Sequence, residues 1–203
     1  MNLVAVSQRV DHFQEREEWR DALDQRLVEF LLCAGFLAVP IPNSFGGKTI
    51  KENMVSTICQ WLDSIKPKAI ILSGGNDVGN NPSRDTTEEQ LITYAYKRKL
   101  PLLGICHGMQ VVGKWAGTKL YRIKGHVATR HQLLGKINTE VNSYHDYCLA
   151  ECPEGFEVLA YSENGVIEAI RHTSLDWEGW MWHPEREEPF SKVDIERIKE
   201  LVK

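Results

Sequence analysis

The chain predicts an α/β protein built on a doubly wound, mostly parallel sheet, and three observations carry that prediction. Short apolar runs alternate with amphipathic segments through about the first 120 residues. One run, Lys68–Leu72, passes straight into Ser73-Gly74-Gly75-Asn76-Asp77. Another, Pro101–Ile105, meets a helical segment through the flanking glycines Gly104 and Gly108. Strand followed by helix in this rhythm is the pattern of parallel βαβ units.

Taken in order, Leu3–Ser7 reads as a buried strand. Glu17–Ala34 has helical spacing, with Trp19, Leu23, Leu27 and Phe30 recurring at threes and fours, and Gly35 ends it. Phe36–Ile41 is a second strand, closed by Pro40 and Pro42. Glu52–Ile65 is helical, Lys68–Leu72 a strand, and Thr86–Arg98 a helix whose Thr86, Thr87, Glu88 and Glu89 suit a first turn. Pro101–Ile105 is a strand and Gly108–Ala116 a helix. After Thr118 the texture changes to short β-like runs at Lys119–Ile123, Lys136–Val141, Glu157–Tyr161, Val166–Ile170 and Gly179–Trp182. Lys192–Lys203 returns to a helical pattern. These later runs predict a small antiparallel extension attached to the parallel sheet.

The 203 residues contain no repeat or linker, so residues 1–203 read as a single domain. With 24 basic and 28 acidic side chains, the formal charge of −4 supplies no general field for nucleic acid or an anionic membrane. The opening apolar run is too short for a signal sequence, and no stretch approaches the ~18–20 apolar residues of a membrane helix. A cytoplasmic location is the expectation. Five cysteines, Cys33, Cys59, Cys106, Cys148 and Cys152, are an odd number and do not suggest a disulfide framework. Cys33 and Cys59 read as core packing. Cys148 and Cys152 lie near His145, but no second Cys/His cluster has zinc-site spacing. No residue pattern calls for a metal or other cofactor, so activity is expected to survive chelators.

Cys106 is set apart by its surroundings. Gly104-Ile105-Cys106-His107-Gly108 is a cysteine version of the nucleophile elbow, in which small flanking residues let a strand and a helix crowd a sharp turn. The elbow would put the thiol at the carboxyl edge of the sheet and at a helix N-terminus, where thiolate is favoured. A base is available in Trp182-His183-Pro184-Glu185-Arg186: His183 would take the proton and Glu185 would orient the ring. Backbone N–H groups at His107 and in the Gly74-Gly75 turn could receive a developing oxyanion.

Ser-Gly-Gly-Asn-Asp, Gly-Ile-Cys-His-Gly-Met-Gln and Trp-His-Pro-Glu-Arg, in this order, resemble the class I (triad-type) glutamine amidotransferase superfamily over about residues 3–190. The resemblance implies a flavodoxin-like three-layer sandwich, a Cys106–His183–Glu185 triad, a γ-glutamyl thioester, and an oxyanion hole at Gly75 and His107. It also maps Gln110 to a contact with the glutamyl moiety, and Asn142, Tyr144 and His145 to its α-amino and α-carboxylate groups. The segments Ser73–Gly79, Gly125–Leu133 and Val141–Tyr147 look more like the γ-glutamyl hydrolase branch, and within it most like γ-glutamyl-CDP-amidate hydrolases, which release glutamate and cytidine diphosphoramidate in capsule synthesis. His107 stands where Arg is common in that branch. His126 and Arg130, with His131 beside them, could meet an anionic leaving group, or could line a solvated strand edge; Arg84 is open in the same way.

The expected activity is therefore hydrolysis of a γ-glutamyl amide conjugate, with a small-molecule substrate and no nucleic-acid or membrane partner. The alternative is a glutaminase subunit that hands ammonia to a partner synthetase. A more remote alternative is a non-catalytic binding protein.

Overall fold

The computed structural model describes the backbone of residues 1–46 and 54–203, and side chains outside 45–56. In chain order its strands and α-helices are β1 (Asn2–Val6), β2 (Arg9–Phe13), β3 (Glu18–Ala22), α1 (Gln25–Cys33), β4 (Phe36–Pro40), α2 (Met54–Ile65), β5 (Ala69–Leu72), α3 (Pro82–Arg98), β6 (Leu102–Ile105) and α4 (His107–Trp115). There follow β7 (Leu120–Arg122), β8 (Val127–Gly135), β9 (Glu140–Tyr144), β10 (Tyr147–Leu149), β11 (Phe156–Ser162), β12 (Ile167–His172), β13 (Trp177–Trp180) and α5 (Lys192–Leu201).

The main sheet has the order β4-β1-β5-β6-β13-β12-β11-β8-β9. Its first five strands are parallel, and from β13 onward every pairing is antiparallel. The expected parallel sheet with an antiparallel extension is thus one continuous sheet. Side-chain alternation makes the layers: Val4, Val6, Ile71, Leu103 and Ile105 pack with Leu27 and Phe30 of α1 and Ile198 of α5. Ala5, Ile70, Leu72 and Leu102 face the other way, onto Ile58 and Leu62 of α2, Leu91 of α3 and Val112 of α4. Helices on both faces give the three-layer sandwich. Among the described residues, no helix is long and apolar enough to cross a membrane.

Three expectations change. The helix expected over Glu17–Ala34 begins at Gln25, where Asp24 caps it by accepting from the Arg26 N–H at 3.0 Å. The preceding residues form the β2–β3 hairpin, and Trp19, expected on a buried helix face, is 61% exposed and stacked on His12. Alternation of two, hidden under an accidental spacing of four between Trp19 and Leu23, is the period that operates there. The shorter helix buries Leu27, Phe30 and Leu31 and leaves Cys33, expected in the core, exposed.

α3 starts at Pro82, earlier than expected: Asn81 caps it and Pro82 occupies the first turn, a favoured arrangement because proline lacks the N–H that would otherwise be unpaired. The strand expected at Lys136–Val141 is instead the turn of the β8–β9 hairpin and the start of its second strand, with Gly135 at φ +132° entering the turn. The expected start of α2 at Glu52 lies outside the described residues. All five cysteines are free thiols.

Candidate active site

β5, β6 and β13 are neighbours in the sheet, and their carboxyl ends deliver Gly74, Cys106 and His183 to one edge. Such an edge is where open α/β sheets bind ligands. Cys106 sits between β6 and α4 at φ +50° and ψ −103°, a conformation side chains rarely adopt. Its N–H donates to the Trp180 carbonyl at 2.7 Å, which ties the turn to β13. The glycines make the turn possible: a Cβ on Gly104 would lie 2.5 Å from the Gly108 carbonyl carbon, and one on Gly108 would collide with the Leu72 carbonyl. His107 is the first residue of α4, so its N–H has no partner within the helix.

His183 and Glu185 are both buried, and their Nδ1 and Oε1 atoms are 2.6 Å apart. Cys106 is the other side chain that acts on the imidazole. Burial works against the charged imidazole, but the hydrogen bonds with Cys106 and Glu185 outweigh it and raise the His183 pKa to about 9. The group is thus set to hold a proton beside the sulfur. Gly74 packs edge-on to the ring: a Cβ there would stand 2.5 Å from His183 Cε1. Arg26 of α1 steadies the loop, donating to the carbonyls of Glu185 at 2.9 Å and Glu187 at 2.8 Å.

A buried polar network underlies the thiol. Glu88 of α3 accepts from Ser7 Oγ at 2.7 Å and Arg84 Nε at 3.0 Å, and its second oxygen meets His107 Nε2 at 2.6 Å. Burial alone would raise the Glu88 pKa, but His107 and Arg84 overcome this and hold it below the ordinary carboxylate range. Arg84 also donates to the Ser73 carbonyl at 2.7 Å and the Gly74 carbonyl at 3.2 Å. The His107 side chain is therefore turned into the protein, and Arg84 braces the glycine turn. Gly75 follows at φ +139°. Asn76 pairs with both backbone groups of Val10, at 2.9 and 3.0 Å, and so fastens the β2–β3 hairpin over the site. Between them lies a cleft of about 270 Å³ lined by Arg9, Asp11, Leu23, Gly74, His183 and Arg186, among others.

The remaining sequence candidates separate into four groups. Gln110 is buried on α4 and donates to the Tyr147 carbonyl at 2.9 Å. Asn142 and Tyr144 on β9 reach the histidine: the Asn142 amide engages the His183 backbone, and the Tyr144 ring stands 5.9 Å edge-on from the imidazole with the Arg186 guanidinium over its other face. Arg130 is held by Glu140 at 2.7 Å and Glu187 at 3.0 Å. His126 and His145 are not brought to the triad contacts; they are buried around Glu168 together with His131. The chain's own motifs did not announce Glu88 or Arg26 as site residues. For Glu88 the signal was the Asn81-Pro82 helix start, which places Arg84 and Glu88 one turn apart on an inward face.

Comparison with known proteins places the chain by sequence and fold. The chain is 31% identical over 134 residues to a gamma-glutamyl-CDP-amidate hydrolase of Campylobacter jejuni, covering 63% of this chain and 67% of that protein. It is 29% identical over 165 residues to the glutamine-hydrolyzing GMP synthase of Blochmanniella floridana, covering 68% of this chain but only 31% of that protein. The fold matches the crystal structure of a glutamine amidotransferase from Thermotoga maritima with a TM-score of 0.65 and 18% identity, over 98% of this chain and 83% of the other. The glutamine amidotransferase class-I family model matches residues 42–192, a span that holds Cys106, His183 and Glu185 alike. On that match, this chain belongs to the class-I glutamine amidotransferase family.

Proposed function

We propose that the protein hydrolyses a γ-glutamyl amide conjugate with Cys106 as nucleophile. The observation that carries this reading is the convergence of a strained, buried Cys106, a proton-holding His183 and Glu185 at one sheet edge. The Cys106 thiolate attacks the γ-carbonyl carbon, and backbone N–H groups at His107 and around Gly75 receive the oxyanion. As the carbon–nitrogen bond breaks, His183 gives its proton to the departing nitrogen, leaving a γ-glutamyl thioester. Neutral His183 then takes a proton from an attacking water. The carbon–sulfur bond breaks, glutamate leaves, and the thiolate–imidazolium pair is restored. Glu185 keeps the ring in register and balances its charge throughout. Gln110 and Tyr144 flank the glutamyl moiety in this reading.

Similarity to the Campylobacter jejuni hydrolase supports a finer version, with γ-glutamyl-CDP-amidate as substrate and cytidine diphosphoramidate as the released product for capsule synthesis. The Arg9 and Arg186 guanidinium groups lining the cleft suit an anionic leaving group. The GMP synthase similarity favours a second reading, a glutaminase that passes ammonia to a synthetase.

A mass-spectrometric screen of the purified chain against γ-glutamyl conjugates, including glutamine and γ-glutamyl-CDP-amidate, separates the two. A hydrolase turns over a conjugate alone, whereas a subunit shows weak glutaminase activity that rises when its synthetase is added. Cys106→Ala is expected to abolish turnover with the fold intact; undiminished hydrolysis by the purified variant would remove Cys106 as nucleophile and favour a binding protein.

A further inference from the structure

Away from the triad contacts, three imidazoles converge on one buried carboxylate oxygen. His126 Nδ1, His131 Nε2 and His145 Nε2 stand 3.3, 3.4 and 3.5 Å from Glu168 Oε1. The His126, His131 and Glu168 donor atoms lie within 4.8 Å of one another. His126, His145 and Glu168 are almost wholly buried, and none of the four facing atoms has a partner of hydrogen-bond geometry.

These separations are wrong for hydrogen bonds. The other buried histidine–glutamate pairs, His107–Glu88 and His183–Glu185, close to 2.6 Å. A charge-assisted N–H···O bond spans roughly 2.7–2.9 Å. The His126 and His131 separations from Glu168 suit neighbouring ligands of one cation: with metal–nitrogen and metal–oxygen bonds of about 2.0–2.2 Å, such atoms stand about 3.3–3.5 Å apart.

His145 Nδ1 lies 3.0 Å from the Tyr147 carbonyl, which only accepts, so this nitrogen carries a proton and Nε2 is the one turned toward the carboxylate. His126 Nε2 lies 3.1 Å from Asn164 Nδ2, and Asn164 Oδ1 accepts from Ser162 Oγ at 2.7 Å, so the outer side of the ring is held by the loop before β12.

We propose that His126, His131 and Glu168 form a structural site for a divalent transition cation of the zinc type, which imidazole and carboxylate ligands suit, with His145 packed beside it. The site joins the β8–β9 hairpin to β12. β9 carries Asn142, so the cation would hold rigid the strand that supports the His183 backbone. His126 and His131 have the short H-x4-H spacing of many zinc ligands, but the carboxylate comes from β12, so only the folded half-sheet brings the three donors together.

The test uses the full chain carrying Cys106→Ser, which removes the reactive thiolate as a competing ligand. Elemental analysis should find about one zinc per chain after purification. The stripped protein should take up Zn²⁺ against a chromophoric chelator with a rise in melting temperature. Glu168→Gln and, separately, the peripheral His131→Ala should weaken uptake by about 100-fold or more. Co²⁺ should give visible d–d bands without a thiolate charge-transfer band in the near ultraviolet. No stoichiometric uptake by the Cys106→Ser protein, uptake unchanged in both ligand variants, or a cobalt thiolate band would each overturn the proposal. Every readout is independent of turnover, so failure here leaves the hydrolase reading standing, and the reverse.

Discussion

The Asn142 side chain brackets the His183 backbone: its oxygen accepts from the His183 N–H at 3.0 Å, and its nitrogen donates to the His183 carbonyl at 2.8 Å. The same nitrogen reaches Glu187 Oε1 at 2.7 Å. A residue from the hairpin thus fixes the backbone that carries the imidazole.

Asn142→Ala should lower kcat by roughly 10–100-fold, because displacement of a catalytic group by about 1 Å is worth about 10²-fold. KM should change little. Steady-state kinetics decide between this positioning role and a direct contact with the glutamyl group, which would raise KM with kcat preserved.

Gly74→Ala should be well folded and nearly inactive. The added Cβ stands 2.5 Å from His183 Cε1, and the turn can yield only by moving the ring or the glycine loop. A loss of about 10² in kcat with an unchanged denaturation midpoint is the expected result; wild-type kcat would mean that the ring has room to spare.

His183 also makes stability depend on pH. Its pKa rises from 6.5 in the reference state to about 9 in the folded protein, so folding binds the proton more tightly. The stabilisation is complete below about pH 6.5 and is lost as the pH climbs through about 9. Urea midpoints measured between those limits should fall for the wild type and fall much less for His183→Gln. Equal slopes would show that the proton is not held there.

Glu178 of β13 is a separate structural device. The buried carboxylate accepts from Trp180 Nε1 at 2.8 Å, Arg171 Nε at 2.8 Å and Arg197 Nε at 2.7 Å, joining β12, β13 and α5. Glu178→Ala leaves two guanidinium groups and a buried indole N–H without their acceptor. Because both arginines remain partly exposed, chemical denaturation should register a loss of about 1–3 kcal/mol, the usual scale for leaving a hydrogen-bonding group without its partner, with kcat of the folded fraction preserved.

Much of this site is legible without coordinates. The crowding of Gly104 and Gly108 around Cys106 is a property of five consecutive residues, and so is the reach of Glu185 to His183 across one proline. The strands at β1, β4, β5 and β6 show their apolar runs directly. Where two periods compete, as between Trp19 and Leu23, the local pattern misleads, because a hairpin docked through Asn76 gains contacts that helix spacing cannot reveal.

What the sequence by itself determined is the class of sheet; it also singled out Cys106, His183 and Glu185 as the candidate nucleophile, base and orienting carboxylate, since each reading depends on backbone sterics and side chains within a few residues. Only the tertiary structure decided that Ser7 meets Glu88 across 81 positions, that Asn142 serves His183 across 41, and that His126, His131 and His145 gather on Glu168 instead of the substrate cleft. Those partnerships follow from which strands lie side by side, an order set by burial of the whole sheet between two helical layers and carried by no local stretch of the chain.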